Sequence, residues 1–556
     1  MDGIALTIFF VVAVMLPNIV LTFSQDYPLW HRLTMLLLPA GFYTVWCSLL
    51  PRSGVMILLG IPFMFFAAFQ VVLFYLLQET VISVDMFTNL GTTNSSESLE
   101  LLHNIYPVIL SACSLYIVLI LLAVYSVRRR RVIRPAARRN MLFVGGFLLA
   151  AGIGSSFGAM AETRGFTALD DIFPINAFRN RYLSQREWMK VKRYEKSCAD
   201  FCFDATKNDH APQREIYLFV IGESSRACNW PAYGYDRPTT PNLTNRGDQI
   251  VWFQNILTQS NSTHKSVPLM LSPIGADTHD YIYRYKGLLA LFREAGFHTM
   301  FVSNQARNRA MIDHLGKQAD TAIFLQDHHR RNNYDSNLLP FVRKAILRDT
   351  ADLFIVLHTY GSHFNYNGRY PASFAKFFPN RITSLDATCR ERMINAYDNS
   401  ILYTDYLLDQ LIRMLERSQT CTALFFSPDH GEDIFDDDRN RFLHSSPSAS
   451  YYQLHIPCMV WFSAGYSAAY PERVASARSH TASPATTHAY FHTLADMASI
   501  ESPYVSSHLS LVNPVFDSST VRHYLNDQYQ AVDYLSVGLQ EEDFAIFRKR
   551  KIHLSH

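Results

Sequence analysis

Residues with metal-binding side chains follow several short apolar runs in the second half of the chain. Glu223 comes directly after "IYLFVIG", Asp429 and His430 lie in "SPDHGED" after "ALFFS", and His363 closes "HTYGSH" after "LFIVL". Carboxylate oxygens and imidazole nitrogens are ligands of zinc, and a catalytic zinc site keeps one position for the reacting group. These residue types, repeated after separate runs, indicate a metal site.

Each of these residues also has a simpler interpretation. A glutamate after a strand often caps a helix or forms an ion pair, and the acidic "DHGED" stretch could be a solvated turn. His358 is typical of a histidine that is satisfied inside a core. Polar residues also follow a fourth run, "TMFVS", as Asn304 and Gln305, and this recurrence after four runs favours the metal site. No Walker-type glycine loop, dinucleotide fingerprint after the first strand or G-x-S-x-G elbow indicates another chemistry.

A hydroxyl-rich stretch, "LTQSNSTHKSVPLM", contains candidate nucleophiles. Its hydroxyls belong to Thr258, Ser260, Ser262, Thr263 and Ser266. Loops often carry such residues because their side chains hydrogen-bond to the nearby backbone. A hydroxyl becomes a good nucleophile only when a base or a metal activates it. The residues themselves leave open which of the five reacts, or whether any does.

Alternating strands and helices are predicted for the second half of the chain. Five runs rich in β-branched and aromatic residues predict strands, and helical stretches separate them, the clearest at about 390–417. The predicted strands are residues 216–222, 299–303, 353–357, 423–427 and 458–463. This alternation predicts an α/β domain with a mostly parallel central sheet over residues 213–556. Because ligands bind beyond the carboxyl ends of such strands, we expect Glu223, His358, His363 and residues 429–430 to meet there.

The first 160 residues are expected to form a membrane domain. Five apolar runs, each close to the ~20 residues that a bilayer-spanning helix needs, predict five transmembrane helices within residues 1–160. The runs are at about 3–23, 33–50, 55–77, 105–127 and 141–160. The stretch "RRRRVIRPAARR" between the last two predicts a cytoplasmic loop by the positive-inside rule. Loop 78–103 and everything after the fifth run are then expected on the opposite side.

Residues 161–212 are expected to be a linker with an amphipathic helix around "REWMKVKRYEKSCADFC". Such a helix can lie on a membrane surface or pack on the next domain, and the pattern leaves both open. The formal net charge of +2 gives no nucleic-acid footprint. We therefore expect contacts with membrane lipids, no nucleic-acid partner and a monomeric chain.

Several ordered motifs resemble the phosphoethanolamine transferases of Gram-negative bacteria. These motifs are "VIGESSRACNWPAYGYDRPTTPNL", "STHKSVPLM", "LHTYGSH" with "RYP", "NAYDNSILYTDYLLD" and "SPDHGE". With the membrane runs, the resemblance covers nearly the whole chain. It implies an inner-membrane enzyme with an alkaline phosphatase/sulfatase-like periplasmic domain.

The resemblance also implies roles for particular residues. In the family the nucleophile is a threonine five residues before the proline of an S-V-P element, which corresponds to Thr263 here. The implied zinc ligands are Glu223, Thr263, Asp429 and His430. The resemblance also allows a second zinc ion in this site. The family pattern puts His363 and His444 near the transferred phosphate, where they could protonate the leaving oxygen or activate the acceptor.

Donor-binding residues are implied in two further places. Asn89, Thr93 and Glu97 recur at a spacing of four, on one helical face, and family members use residues at this spacing to approach the donor. An N-cap with a solvated face is the alternative for that loop. The other implied donor-binding residues are Asn304, Gln305, Arg309 and His363. For Arg309 a plain surface cation is the alternative.

The cysteines depart from the family pattern. Relatives carry a disulfide that brackets the nucleophile loop, but the bracketing positions are Gln259 and Leu269 in this chain. Six cysteines lie outside the membrane runs, and Cys198 and Cys202 are the easiest pair to imagine bridged. We expect this loop to be held by other means.

The resemblance implies zinc-dependent transfer of phosphoethanolamine from phosphatidylethanolamine to a phosphate of lipid A, through a phosphothreonine-type intermediate. The added ammonium would weaken binding of cationic peptides such as polymyxin. Other acceptors remain open: a core heptose, a periplasmic glucan or a protein. Alternative classes are a phosphoglycerol transferase or sulfatase of the same fold, and a membrane receptor with a decayed enzyme domain.

Overall fold

The computed structural model describes residues 2–24, 26–77, 81–92, 95–163, 166–328 and 332–554. Contacts between residues divide the chain into two compact units. The first unit comprises Met1–Thr88 with Leu99–Arg186, and the second comprises Asn89–Ser98 with Glu187–His556.

The amino-terminal part of the chain is helical. Its helices are Gly3–Ser24, Leu29–Ser48, Ser53–Leu59, Ile61–Leu77, Val84–Thr92, Ser95–Arg128, Pro135–Glu162, Ala168–Asp171 and Ile175–Ser197. Within the described residues, three helical segments are long and apolar enough to cross a membrane: Gly3–Ser24, Tyr106–Arg128 and Pro135–Glu162. A fourth span results if Ser53–Leu59 and Ile61–Tyr75, which meet at 57°, count as one. Leu29–Ser48 lies over the second predicted span but is not among these segments.

Glycines allow two of these helices to pack closely. A Cβ atom at Gly41 in Leu29–Ser48 would lie 2.5 Å from the Leu149 amide nitrogen. A Cβ atom at Gly152 in Pro135–Glu162 would lie 2.6 Å from the Leu38 amide nitrogen. Backbone meets backbone at both places, so larger side chains cannot be accommodated without separating the helices.

A seven-stranded sheet forms the centre of the second unit. In chain order its strands are β1 (Glu215–Gly222), β2 (Ile250–Phe253), β3 (His298–Ser303), β4 (Thr321–Phe324), β5 (Leu353–His358), β6 (Cys421–Pro428) and β7 (Cys458–Phe462). Their spatial order is β2-β7-β6-β1-β5-β3-β4. The pairs β6-β1, β1-β5, β5-β3 and β3-β4 are parallel, whereas β7 is antiparallel to both neighbours. The sheet is therefore mixed, with four of its six strand pairs parallel.

Helices surround this sheet. They are Pro241–Asn245, Thr263–Met270, Leu288–Glu294, Met311–Gly316, Leu339–Arg348, Arg390–Ser418, Tyr451–Leu454, Ala464–Ala469, Pro471–Ser479, Ala489–Met497 and Glu541–Lys549. Arg390–Ser418 confirms the clearest predicted helix. Short two-stranded ribbons include Asp433–Ile434 with Phe442–Leu443, and His523–Leu525 with Ala531–Asp533. Strand β1 is buried along its whole length because β6 and β5 flank it.

The glycine contacts generate a test with a matched control on the same helix. Replacing Gly152 by Ala should destabilise the first unit by about 1–3 kcal/mol, because the new methyl group meets the Leu38 backbone. Gly154 faces open space, so Gly154→Ala should cost nothing and gain up to about 1 kcal/mol in helix propensity. Thermal unfolding of the full chain in detergent should lower the Tm only for Gly152→Ala. Equal Tm values would contradict the close helix contact.

Candidate active site

Thr263 is the first residue of the helix Thr263–Met270, and Ser262 is its N-cap. The free amide groups at a helix N-terminus carry partial positive charge, which favours an anion beside the first turn. The Ser262 hydroxyl is engaged with His264 Nδ1 at 2.8 Å. The Thr263 hydroxyl instead lies within hydrogen-bond distance of Glu223 and His430. This arrangement distinguishes Thr263 from Ser262, whereas the Ser266 hydroxyl reaches only Asp429 Oδ2, at 3.5 Å.

The register of two parallel strands brings Glu223 and Asp429 together. Gly222 of β1 pairs with Pro428 of β6, so the residues that follow leave the sheet side by side. Asp429 Oδ1 accepts hydrogen bonds from the Ser224 amide at 3.2 Å and the His430 amide at 2.8 Å. Its Oδ2 lies 3.3 Å from His430 Nε2.

His430 presents one nitrogen to the site. Its Nδ1 donates to the Gly431 carbonyl at 2.8 Å, because a carbonyl oxygen can only accept. Its Nε2 therefore carries a lone pair directed at Thr263 Oγ1, 3.1 Å away. This tautomer is the one that a metal ligand requires.

The separations of these atoms suit a four-coordinate metal. Thr263 Oγ1 lies 3.3 Å from Glu223 Oε1, and Glu223 Oε1 lies 3.7 Å from His430 Nε2. The ligand atoms of Glu223, Asp429 and His430 all lie within 4.8 Å of one another. Tetrahedral zinc with bonds of about 2.0 Å needs ligands roughly 3.3 Å apart. The donor set and its spacing therefore fit a divalent cation such as zinc.

The electrostatics of the site favour a cation. Burial, and next the charge of Asp429, raise the pKa of Glu223 to about 8. Burial raises the pKa of Asp429 to about 7. Burial, and then repulsion from His444, lower the pKa of His430 to about 4, so this imidazole is neutral. A bound cation would favour the ionised forms of these two buried carboxyl groups, which are the forms that bind a metal.

His444 is held by Glu432, a residue to which the sequence interpretation gave no role. His444 Nδ1 lies 3.0 Å from Glu432 Oε1, while Tyr366 donates to the other carboxylate oxygen at 2.7 Å. In the two-stranded ribbon, Leu443 pairs with Asp433. The residues just outside this pair, Glu432 and His444, therefore lie opposite each other. The sequence feature that could have indicated this role is Glu432 itself, the final residue of "SPDHGE", which lies twelve positions before His444.

His363 and His444 both lie beside the metal-binding group. The His444 ring centroid is 4.2 Å from that of His430 and 6.0 Å from that of His363. His363 Nδ1 donates to the Phe364 carbonyl at 2.6 Å. Burial lowers the pKa of His444 to about 4 and, with the Arg369 charge, holds the pKa of His363 well below its usual value. Two neutral imidazoles thus adjoin the site.

The other expected donor-binding residues differ in position. Gln305 Nε2 donates to Glu223 Oε2 at 3.2 Å and to the Thr359 carbonyl at 2.9 Å, so it contacts the site. Asn304 is buried, and its amide group donates to Asp335 at 2.8 Å. Arg309 is exposed, with a left-handed backbone at φ 63°.

Asn89 and Glu97 belong to two helices, and His358 ends a strand. Asn89 is half-buried on Val84–Thr92, whereas Thr93 and the Glu97 side chain lie outside the described residues. His358, at the end of β5, is buried with Nδ1 3.2 Å from the Ser303 hydroxyl. Its Nε2 lies 3.3 Å from Gln305 Nε2, which makes His358 a support for Gln305.

Hydrogen bonds hold the loop that precedes Thr263. The Gln259 side-chain oxygen accepts from the Ala276 amide at 2.8 Å, and its carbonyl accepts from the Leu525 amide at 2.7 Å. Asn261 Nδ2 donates to Gln453 Oε1 at 2.7 Å and to the Ser446 carbonyl at 2.9 Å. All eight cysteines of the chain lie among the described residues and are free thiols, Cys198 and Cys202 included.

An α/β domain that gathers a hydroxyl, two carboxylates and an imidazole beyond the ends of parallel strands has the architecture of a metal-dependent hydrolase or transferase. The chain belongs to the sulfatase family, whose profile matches residues 215–500.

Curated relatives bear the names of phosphoethanolamine transferases. Phosphoethanolamine transferase EptA of Escherichia coli K12 is 32% identical over 279 residues, 48% of this chain and 50% of the relative. The Kdo(2)-lipid A phosphoethanolamine 7''-transferase of Escherichia coli K12 is 30% identical over 270 residues, 46% of each chain. These matches confirm the resemblance. The chain spans about half the length of the curated relatives it matches.

Two solved structures are similar in fold. The integral membrane protein lipooligosaccharide phosphoethanolamine transferase A from Neisseria meningitidis superimposes with a TM-score of 0.73 at 22% identity, over 91% of this chain and 98% of that one. The periplasmic domain of EptC from Escherichia coli, in complex with Zn, gives a TM-score of 0.54 at 26% identity, over 60% and 98%. The chain therefore combines a helical, apolar amino-terminal region with a carboxyl-terminal alkaline phosphatase-like domain.

Metal binding can be tested with histidine variants. His430→Ala removes the only imidazole of the metal-binding group of three and should weaken divalent-metal affinity by at least about tenfold. His508 is exposed, so His508→Ala is the matched control. Metal content of the purified full chain, and the rise in Tm on adding zinc, should fall only for His430→Ala. Unchanged metal content in that variant would contradict the assignment.

Proposed function

We propose that this chain is a zinc-dependent phosphoethanolamine transferase, with phosphatidylethanolamine as donor and a phosphate of lipid A as acceptor. The observation that carries the proposal is the position of Thr263. Its hydroxyl lies at a helix N-terminus, 3.1 Å from His430 Nε2 and 3.3 Å from Glu223 Oε1. The names of the curated relatives support the group that is transferred, and one of them names lipid A.

Glu223, Thr263, Asp429 and His430 are the residues that would hold zinc. A zinc-bound relative of the same fold supports this metal. Zinc would lower the pKa of the Thr263 hydroxyl and offset charge on the phosphoryl oxygens. One zinc ion satisfies this group, and a second beside His363 and His444 is compatible with their neutral imidazoles.

In the first step, Thr263 Oγ1 forms a bond to the phosphorus of phosphatidylethanolamine. The bond from phosphorus to the glycerol oxygen breaks, and the threonine proton ends on the departing diacylglycerol. The first turn of Thr263–Met270 offers amide groups to the phosphoryl oxygens as charge builds on them. Phosphoethanolamine is then esterified to Thr263.

In the second step, an oxygen of the acceptor phosphate attacks the same phosphorus. The bond to Thr263 breaks, and the proton lost by the acceptor returns to the Thr263 oxygen. His363 and His444, as neutral imidazoles, can carry protons between these oxygens. Glu432 is a positioning residue, because its 3.0 Å contact with Nδ1 fixes the His444 ring and leaves the other nitrogen to act.

The membrane region suits a reaction between two lipids. We propose five spans, with the loop that contains Arg128–Arg131 in the cytoplasm and the α/β domain in the periplasm, at the bacterial inner membrane. Asn89, Thr93 and Glu97 would then face the donor from the outer side, with Asn304, Gln305 and Arg309 as further donor-binding candidates. The chain would act as a monomer.

The nucleophile can be tested by intact mass. After incubation with phosphatidylethanolamine and zinc, the full chain should gain the mass of one phosphoethanolamine, and Thr263→Ala should not. Ser260 is the matched control, because its buried hydroxyl has no hydrogen-bond partner among the described residues. Ser260→Ala should therefore keep the adduct. An adduct that persists in Thr263→Ala, or never forms in a zinc-loaded wild type, would reject the mechanism.

The acceptor requires a cellular experiment. Lipid A from cells that express the wild type should carry added phosphoethanolamine, and lipid A from cells with Thr263→Ala should not. Because the added ammonium reduces the negative surface charge, polymyxin resistance should rise with the wild type alone. Unmodified lipid A, with phosphoethanolamine on a core heptose, a glucan or a protein instead, would reassign the acceptor.

A further inference from the structure

A cleft adjoins the helix that begins at Thr263. It lies between the 3₁₀ helix Ala276–Tyr283 and the turn that joins strands His523–Leu525 and Ala531–Asp533. Its volume is about 550 Å³, within the roughly 300–1,000 Å³ typical of ligand sites. The lining includes Asp277, His279, Tyr281, Arg284, Tyr529 and Gln530. We call this feature the tyrosine cleft.

Tyr529 holds a costly conformation at the edge of the tyrosine cleft. Its backbone is left-handed, at φ 61°, a region that bulky residues avoid. The turn maintains this conformation, since the Tyr529 amide donates to the Asn526 carbonyl at 3.1 Å and the Gln530 amide to Asn526 Oδ1 at 2.9 Å. A sparsely populated conformation that the surrounding turn maintains is found most often at functional sites.

His279 contributes a buried polar atom with no partner. Its Nδ1 is covered from solvent and makes no hydrogen bond within the described residues. Burial, with the nearby Lys190 and Lys265 charges, lowers the pKa of His279 to about 3, so the ring is neutral. A neutral imidazole can donate or accept one hydrogen bond, which suits a hydroxyl group better than an anion.

Tyr529 connects the tyrosine cleft to the nucleophile helix. Its ring centroid lies 5.3 Å from the His279 ring and 6.4 Å from the ring of His264, the residue after Thr263. The Lys265 ammonium lies 5.4 Å from the same ring. A molecule in the cleft would therefore contact a side chain that packs beside His264 and Lys265, the two residues that follow Thr263.

The chemistry of the lining selects the class of ligand. Tyr281 is 49% exposed, and together with Tyr529 it offers aromatic faces whose negative charge attracts polarised C–H groups. The carboxylates of Asp277 and Asp280 accept hydrogen bonds from hydroxyls, and the Arg284 guanidinium in the same lining donates them. Aromatic faces, carboxylates and a neutral imidazole together match a sugar ring.

We propose that the tyrosine cleft binds a saccharide ring of the acceptor and so holds the acceptor beside Thr263. This inference rests on the proposed transferase function and adds a recognition site for the sugar, distinct from the residues that act on phosphorus. Tyr529 is the central contact, and Tyr281, Asp277 and His279 complete the site.

Binding is tested directly with N-acetylglucosamine, a sugar without a phosphate, on the full chain in detergent, by ligand-observed NMR titration. Tyr529→Leu removes the ring and should weaken binding by about tenfold, whereas Tyr529→Phe keeps the ring and should bind like the wild type. Tyr281→Ala should also weaken binding. Phe378, 66% exposed elsewhere on the domain, provides the control variant Phe378→Ala, with unchanged binding. Inorganic phosphate should not compete at the cleft.

The two half-reactions separate this proposal from the transferase proposal. In the Tyr529→Leu and Tyr281→Ala variants, transfer from the Thr263 adduct to lipid A should fall at least about tenfold more than adduct formation does. Equal loss in both half-reactions would mean a merely structural role and overturn the sugar site. Wild-type binding of the sugar in all variants would overturn it as well. Failure of the wild type to form any adduct would instead refute the transferase, while the NMR titration would still decide sugar binding.

Discussion

Two carboxylates buried at the ends of neighbouring parallel strands impose the main constraint on the α/β domain. Glu223 and Asp429 are 1% and 0% exposed, and removal of such charges from water costs several kcal/mol each unless partners compensate. Amide groups of Ser224 and His430 and the side chain of Gln305 supply part of the compensation. A bound cation would supply the remainder. The burial of these carboxylates therefore destabilises the fold without a metal and, for the same reason, increases the affinity for one.

The backbone around these carboxylates is accordingly crowded. Ser224 takes a left-handed conformation at φ 53°, which turns the chain directly after Glu223. A Cβ atom at Gly361 would lie 2.7 Å from the Glu223 carbonyl, and one at Gly431 would lie 2.0 Å from the Tyr452 carbonyl. Neighbouring loops can approach the site this closely only because these positions lack side chains. Precise placement of a few metal-binding side chains thus restricts the backbone conformations of several loops.

The sequence predicted the part of this arrangement that follows from strand direction. Glu223 and Asp429 could be expected together, since residues after parallel strands emerge at one edge. Strands β2 and β4 escaped prediction because four residues at a sheet edge give little periodic signal. The antiparallel direction of β7 depends on its connection and partners, which local composition does not encode.

Contacts that depend on tertiary structure were also beyond the sequence. Glu432 meets His444 only because a short ribbon sets their register, and "DIFDDDRNR" gives no sign of that pairing. The distinction between Ser262 and Thr263 likewise depends on which hydroxyl a helix start directs inward. The family resemblance selected Thr263, whereas residue types alone left five hydroxyls equivalent.

Gln259 occupies one of the two positions where the family resemblance led us to look for a disulfide, and its side-chain oxygen instead accepts a hydrogen bond from the Ala276 amide. A disulfide constrains the unfolded chain by roughly 2–4 kcal/mol, whereas one hydrogen bond adds about 1 kcal/mol to the folded state alone. The link at Gln259 can therefore open and close on the timescale of local fluctuations, without any redox chemistry. The loop that bears Thr263 is thus held in place by contacts between buried side chains and backbone groups, and its position depends on the folding of the segments around Ala276, Gln453 and Leu525.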